Sequence, residues 1–240
     1  MCESVLCEFG RRKDSRLVVA FDESLGEFHE ESLFIEKWRK VLYELSRYAA
    51  GIKIGLPTVA SLGASGLSKL LSSVKGKSYL LADLKLADVA HVNRRVLELA
   101  GMVGFNGIIA HAFIGLEAGL SSLVSSAREL GLEVYAVVAM SHPGAEEVLN
   151  RNFNSLLEIA LKAGVSGLVV PATQPRYIEM ARRAAKEYTL ISPGVGAQGA
   201  EIGSAIKRGS DFEIVGRAIL ESEDPVAKAR SIGGVLKWST

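Results

Sequence analysis

Short runs of β-branched and apolar residues alternate with longer amphipathic stretches along nearly the whole chain. Such alternation is the mark of βα units that build a parallel sheet. The runs predict eight strands, at Leu17 to Phe21, Gly51 to Ile54, Tyr79 to Leu84, Gly107 to His111, Val134 to Ala139, Gly167 to Pro171, Thr189 to Ser192 and Phe212 to Val215. Helical spacing fills the intervals. Leu33, Trp38, Leu42 and Leu45 recur within Leu33 to Ala49, and Arg182, Arg183 and Lys186 give Tyr177 to Glu187 a polar face. We read these stripes as core packing. Eight βα repeats in 240 residues fit a (β/α)8 barrel better than an open doubly wound sheet, which needs fewer strands. No Pro- or Ser-rich linker and no shift of composition divides the chain. Residues 1–240 are therefore expected to form one α/β barrel domain, with residues 1–14 as an N-terminal extension.

Composition narrows the class. Hydrophobic residues make up 48% and charged residues 23%, enough apolar content for a substantial core and too much for disorder. The 28 Lys and Arg nearly balance the 27 Asp and Glu, so the basic excess of a nucleic-acid binder is missing and a small-molecule ligand is expected. The start lacks a signal-like apolar core and no later run of ~20 residues is free of charge, which predicts a cytoplasmic protein outside the membrane. The two cysteines, Cys2 and Cys7, are too few for a disulfide framework; we expect unpaired thiols on a loose terminus.

Barrels of this kind carry their chemistry at the C-terminal ends of the strands. Those ends hold Asp22, Lys53, Asp83 with Lys85, His111, Ser141, Pro171, the stretch Ser192 to Gly199, and Gly216 with Arg217. Strand residues two apart share a face, so Asp83 and Lys85 point the same way, and their four apolar or small predecessors argue against a fully solvated face. Asp88 follows and completes a D-x-K-x-x-D cluster, to which Lys53 adds a second amine. Pro193, Gly194, Gly196, Gln198 and Gly199 belong to a glycine-rich turn after the seventh strand, and Gly216-Arg217 follow the eighth. These are the loops where such barrels bind phosphate, with Arg217 as the charged partner. His29, His91, His111 and His142 show no metal-ligand spacing, so no metal site is expected, and Ser141 lacks the surroundings of a nucleophile. His142 is read as structuring the turn Ser141 to Gly144.

Several of these segments together resemble the orotidine 5′-monophosphate decarboxylase family, its archaeal members above all. They are Val19 to Asp22, Ile52 to Gly55, Ala82 to Val89, Met140 to Ala145, Ile191 to Gly199 and Ile214 to Arg217, and the likeness spans nearly the whole chain. The resemblance implies conversion of orotidine 5′-monophosphate to uridine 5′-monophosphate and carbon dioxide, in de novo pyrimidine synthesis and without a cofactor. It implies that Lys53, Asp83, Lys85 and Asp88 form an alternating charge network, with Asp88 reaching into the site of a second subunit, and hence a homodimer. Asp22 then meets the ribose, Ser141 the pyrimidine, and Gln198, Gly216 and Arg217 grip the phosphate. We expect phosphate binding to drive closure of the Pro193 to Gly199 loop, so that remote binding energy is expressed at the transition state. One position departs: Val92 stands where the family carries a threonine, which removes a hydrogen bond worth about 0.5–1.5 kcal/mol. Two other readings compete. A magnesium-dependent sugar-phosphate decarboxylase or aldolase shares D-x-K-x-x-D but places an acid where this chain has Lys53, and a charged lysine cannot bind a cation. A non-catalytic nucleotide-binding barrel would have no need of both lysines and both aspartates.

Overall fold

The computed structural model describes all residues except Met1, Cys2, Glu27, His29 and Thr240. Its elements run α1 (Val5–Lys13), β1 (Leu17–Phe21), α2 (Glu31–Leu45), β2 (Gly51–Gly55), α3 (Leu56–Leu71), β3 (Tyr79–Leu86), α4 (Ala90–Val103), β4 (Gly107–His111), α5 (Ser121–Glu129) and β5 (Glu133–Val137). There follow α6 (Phe153–Ala163), β6 (Gly167–Val169), α7 (Pro175–Ala184), β7 (Thr189–Pro193), α8 (Ser204–Lys207), β8 (Phe212–Val215), α9 (Arg217–Leu220) and α10 (Pro225–Val235). The eight strands pair in chain order, all parallel, and β8 closes on β1 to complete the barrel.

Alternation along each strand sorts the side chains into two apolar layers. Leu17, Val19 and Phe21 of β1, Ile52 and Ile54 of β2, and Leu80 and Ala82 of β3 pack outward against the helices. The positions between them point inward, where Val18, Tyr79, Leu81, Tyr135, Phe212 and Ile214 fill the barrel. A parallel sheet buried on both faces explains why its strands read as continuous apolar runs.

Five of the eight strands end within one residue of their expected limits. β5 and β6 each leave the regular ladder two residues early, at Val137 and Val169. The bonds Val138 N–H to Val169 O (3.3 Å) and Val170 N–H to Ile191 O (3.1 Å) continue the pairing briefly before the chain turns outward to form the rim. β3 instead runs on to Leu86, through a register shift against β4 between Ala82 and Leu86.

The loose terminus expected from the sequence is not what the structure holds. Ser4 caps α1 by accepting a hydrogen bond from Cys7 N–H, and Leu6, Cys7 and Gly10 are buried beneath the barrel floor with Tyr79, Tyr135 and Phe212. Lys13 donates to the carbonyls of Ser46 and Ala49 and to Ser78 Oγ, while Asp14 accepts from Trp238 N–H and Ser239 N–H. The thiol expectation also fails, because Cys7 is disulfide-bonded; Cys2 lies outside the described residues. The physical reason is that the inward side chains leave the lower end of the barrel open, and an amphipathic helix closes it by burying Leu6 and Cys7.

Candidate active site

The open end of the barrel forms a cavity of ≈ 280 Å³. Its floor is apolar and comes from inward positions at or within two residues of the strand ends: Ala20, Ile109, Val137, Val169 and Ile214. Its wall carries Asp22, Lys53, Asp83, Lys85, Ser141, Pro193, Gln198, Gly216 and Arg217, which are all the site residues expected from the sequence except Asp88.

Four of the charges form a continuous chain, Asp22–Lys53–Asp83–Lys85. Lys53 Nζ donates to Asp22 Oδ1 at 2.8 Å and lies 3.2 Å from Asp83 Oδ2, and Lys85 Nζ meets Asp83 Oδ1 at 2.9 Å. Lys53 and Asp83 are nearly enclosed, with side chains 7% and 11% exposed, whereas Lys85 at 43% faces the cavity. Burial pushes the Asp83 carboxyl up, but the ammonium groups of Lys53 and Lys85 outweigh it and hold the pKa below the usual range, so Asp83 is ionised near neutral pH. The local backbone serves this arrangement. Lys85 adopts a left-handed conformation with φ +45°, rare for a residue with a side chain and costly by about 1–3 kcal/mol, at the register shift of β3. Gly55 gives the room, since a Cβ there would lie 1.7 Å from Asp22 Oδ1.

The opposite wall is the glycine turn. Gly194, Gly196 and Gly199 have φ of +97°, +78° and +99°, which only glycine adopts without strain, and a Cβ on Gly196 would press on Ala218 at 2.8 Å. Gly199 N–H closes the turn on Gly196 O. The Ser141 hydroxyl donates to Gln198 Oε1 at 3.0 Å, tying the segment after β5 to the loop after β7 across the mouth. Arg217 is exposed and has no carboxylate partner among the described residues, so its guanidinium is free for an anion.

Asp88 stands apart. It lies between β3 and α4, is exposed, does not line the cavity of its own chain, and accepts Val89 N–H on Oδ1 at 2.7 Å. Val92 is half-buried in the first turn of α4. The backbone of His142 accepts Ala145 N–H at 3.0 Å within the turn expected there. Among the described residues no cluster of three or more His, Cys, Asp or Glu could hold a metal ion; His29 lies outside them.

Sequence reasoning named His111 without giving it a part. It ends β4, is 8% exposed, stacks on Phe113 with centroids 4.5 Å apart, and leaves Nδ1 without a hydrogen-bond partner among the described residues. Burial, aided by the Lys85 charge and opposed by Asp83, lowers its pKa to about 4. A depressed histidine pKa means that the unfolded chain takes up a proton the native state refuses. Stability is thus expected to fall as the pH drops from about 6.5 to about 4. Thermal unfolding across that range should show the slope in the native protein and a shallower one in His111→Gln. The apolar floor was also missed. Its signal was present in the alternation for two of its residues, because Ile109 shares the inward face with His111 and Ala20 with Asp22, polar groups at the strand ends.

A parallel barrel whose mouth carries linked acids and amines on one wall and a glycine-rich turn on the other defines an enzyme of the (β/α)8 class acting on a phosphorylated small molecule. Residues 15–232 match the orotidine 5′-phosphate decarboxylase / HUMPS family, and the chain belongs to it. An orotidine 5′-phosphate decarboxylase of Aeropyrum pernix is 42% identical over 184 residues, covering 76% of this chain and 75% of its own. That of Methanococcoides burtonii is 36% identical over 221 residues, 92% of this chain and 96% of its own. Among solved structures, orotidine 5′-monophosphate decarboxylase from Sulfolobus solfataricus superposes with a TM-score of 0.81 at 30% identity, covering 92% of this chain and 97% of that one. The enzyme from Methanocaldococcus jannaschii complexed with inhibitor BMP gives 0.80 at 29% identity, covering 92% and 98%.

Proposed function

We propose that this protein converts orotidine 5′-monophosphate to uridine 5′-monophosphate and carbon dioxide in pyrimidine synthesis, using neither metal nor organic cofactor. The observation that carries this is the Lys53–Asp83–Lys85 chain at the mouth of an apolar-floored cavity. Loss of carbon dioxide leaves an electron pair on a ring carbon. Lys85, held by Asp83 and exposed to the cavity, stabilises that developing carbanion and then delivers the proton to it, regaining one from solvent. The apolar floor lowers the local dielectric and strengthens the attraction. In this reading Asp22 and Lys53 hold the ribose, Ser141 the pyrimidine, and Gln198, Gly216 and Arg217 the phosphate, with Pro193 to Gly199 closing over it. Phosphate binding far from the breaking bond is then expressed in the transition state through that closure.

The magnesium-dependent sugar-phosphate reading is disfavoured by Lys53, whose ammonium lies between two carboxylates where a cation would have to sit. The deciding experiment is the fall in ultraviolet absorbance of orotidine 5′-monophosphate in the presence of a chelator. Undiminished turnover supports the proposal; inactivity restored by magnesium overturns it. Arg217→Ala is expected to lower kcat/KM by roughly 30- to 700-fold, as loss of a charge-assisted phosphate contact worth about 2–4 kcal/mol requires. A substrate without the phosphate should be indifferent to that substitution in steady-state assays.

We also infer a homodimer in which Asp88 completes the charge network of the neighbouring subunit. Its exposure, its absence from the lining of its own chain's cavity and the 56% exposure of the apolar Val89 beside it support this. We assign α1, which precedes the matched residues 15–232, to an N-terminal extension of the barrel. None of the described helices is long and apolar enough to cross a membrane, and we place the enzyme in the cytoplasm.

A further inference from the structure

The three-residue connection Ala87 to Val89 between β3 and α4 must fix a carboxylate that leaves its own cavity. One hold is local, the bond from Val89 N–H to Asp88 Oδ1. The second comes from Asn93, in the opening turns of α4, whose Nδ2 donates to the Asp88 carbonyl at 2.6 Å. Asn93 is 1% exposed, and its own backbone N–H is already satisfied by Val89 O at 3.1 Å. The side chain therefore does not cap its own helix; Val89, at the N-cap, provides no side-chain cap. It reaches back past the cap to the carbonyl before it.

The rest of the amide shows what it is there for. Oδ1 of Asn93 is buried with no hydrogen-bond partner among the described residues. Reversing the amide would set Oδ1 against the Asp88 carbonyl, acceptor facing acceptor, so the orientation with Nδ2 toward Asp88 is the only one that makes a bond. A buried amide with an unsatisfied oxygen is a poor choice for packing, where leucine or alanine would serve better. What asparagine supplies at this position is the side-chain bond that holds the Asp88 backbone.

We infer that Asn93 is a positioning residue for Asp88: through its amide bond to the Asp88 carbonyl it sets the direction in which that carboxylate is presented to the neighbouring subunit's site. The inference rests on the reading of Asp88 given above. Misplacing a reacting-centre group by about 1 Å costs about 100-fold in rate, so losing the tether should cost about 10- to 100-fold in kcat/KM. Because Asp88 acts in the charge network, the loss should fall on kcat while binding of uridine 5′-monophosphate stays within about twofold.

The test is a double-mutant cycle with subunit mixing. Asn93→Leu removes the donor and keeps the volume; Asn93→Ser, smaller, replaces it if the leucine variant fails to fold. The substitution should lower kcat in the native background and have less than about twofold further effect in Asp88→Ala, since coupled residues are not additive. In mixtures, Asn93→Leu chains should regain activity with Lys85→Ala chains, and gain none with Asp88→Asn chains, because Asn93 and Asp88 spoil the same site. An equal loss in both Asp88 backgrounds, or recovery with Asp88→Asn, overturns the inference. Failure of the underlying reading looks different: Asp88→Asn itself would then be active, or would fail to complement Lys85→Ala, whatever is done at Asn93.

Discussion

Replacing Lys85 with alanine is expected to lower kcat by about five to seven orders of magnitude. The figure has two parts. An ammonium about 4 Å from a developing carbanion, at an effective dielectric near 20, contributes about 4 kcal/mol, close to three decades of rate. Loss of a positioned general acid removes roughly another two to four decades. Lys85 is suited to both roles, because Asp83 fixes its amine at 2.9 Å and its side chain opens onto the cavity. Binding of uridine 5′-monophosphate should change far less, since the residues assigned to ribose and phosphate remain. Asp83 also keeps a cationic partner in Lys53, so the carboxylate is not left alone in the wall. Single-turnover kinetics together with equilibrium binding of the product check both halves. Turnover within about tenfold of the native enzyme would remove Lys85 from the mechanism.

Mixing two nearly inactive proteins should restore about a quarter of native activity, if Asp88 serves the neighbouring subunit. The pair is Lys85→Ala and Asp88→Asn. Random exchange of equal amounts makes about half of the dimers mixed. A mixed dimer has one site carrying both defects and one carrying neither, so one site in two works in half of the population. The position of Asp88 motivates the experiment. It follows the strand bearing Asp83 and Lys85, yet it is exposed and lies outside the cavity those residues line. Its Oδ1 is engaged with Val89 N–H, so the carboxylate does not turn back toward Lys85 of its own chain. Absence of recovery, with exchange verified by mass, would place Asp88 in its own subunit's site or outside the reaction.

The sequence by itself determined the barrel, because a strand buried on both faces writes its position as an apolar run, and eight such runs separated by amphipathic helices have few other solutions. It also determined which polar groups reach the mouth. Polar residues at the inward end of an apolar run, such as Asp22, Lys53 and Asp83, have nowhere else to go, and the structure gathers them around one cavity. Tertiary structure alone decided how they meet. That Lys53 bridges Asp22, just past the end of β1, and Asp83 of β3 depends on strand pairing and on the missing Cβ of Gly55. The left-handed turn at Lys85 falls within the register shift against β4, which no local pattern in the Leu84 to Leu86 stretch announces. The same holds for α1. Its sequence shows charges and two cysteines, but whether it lies loose or closes the barrel is settled by the apolar space beneath Tyr79, Tyr135 and Phe212. Periodicity records which face a residue shows to the core; which distant residue it meets there is set by packing between elements, and that information is spread over the whole chain.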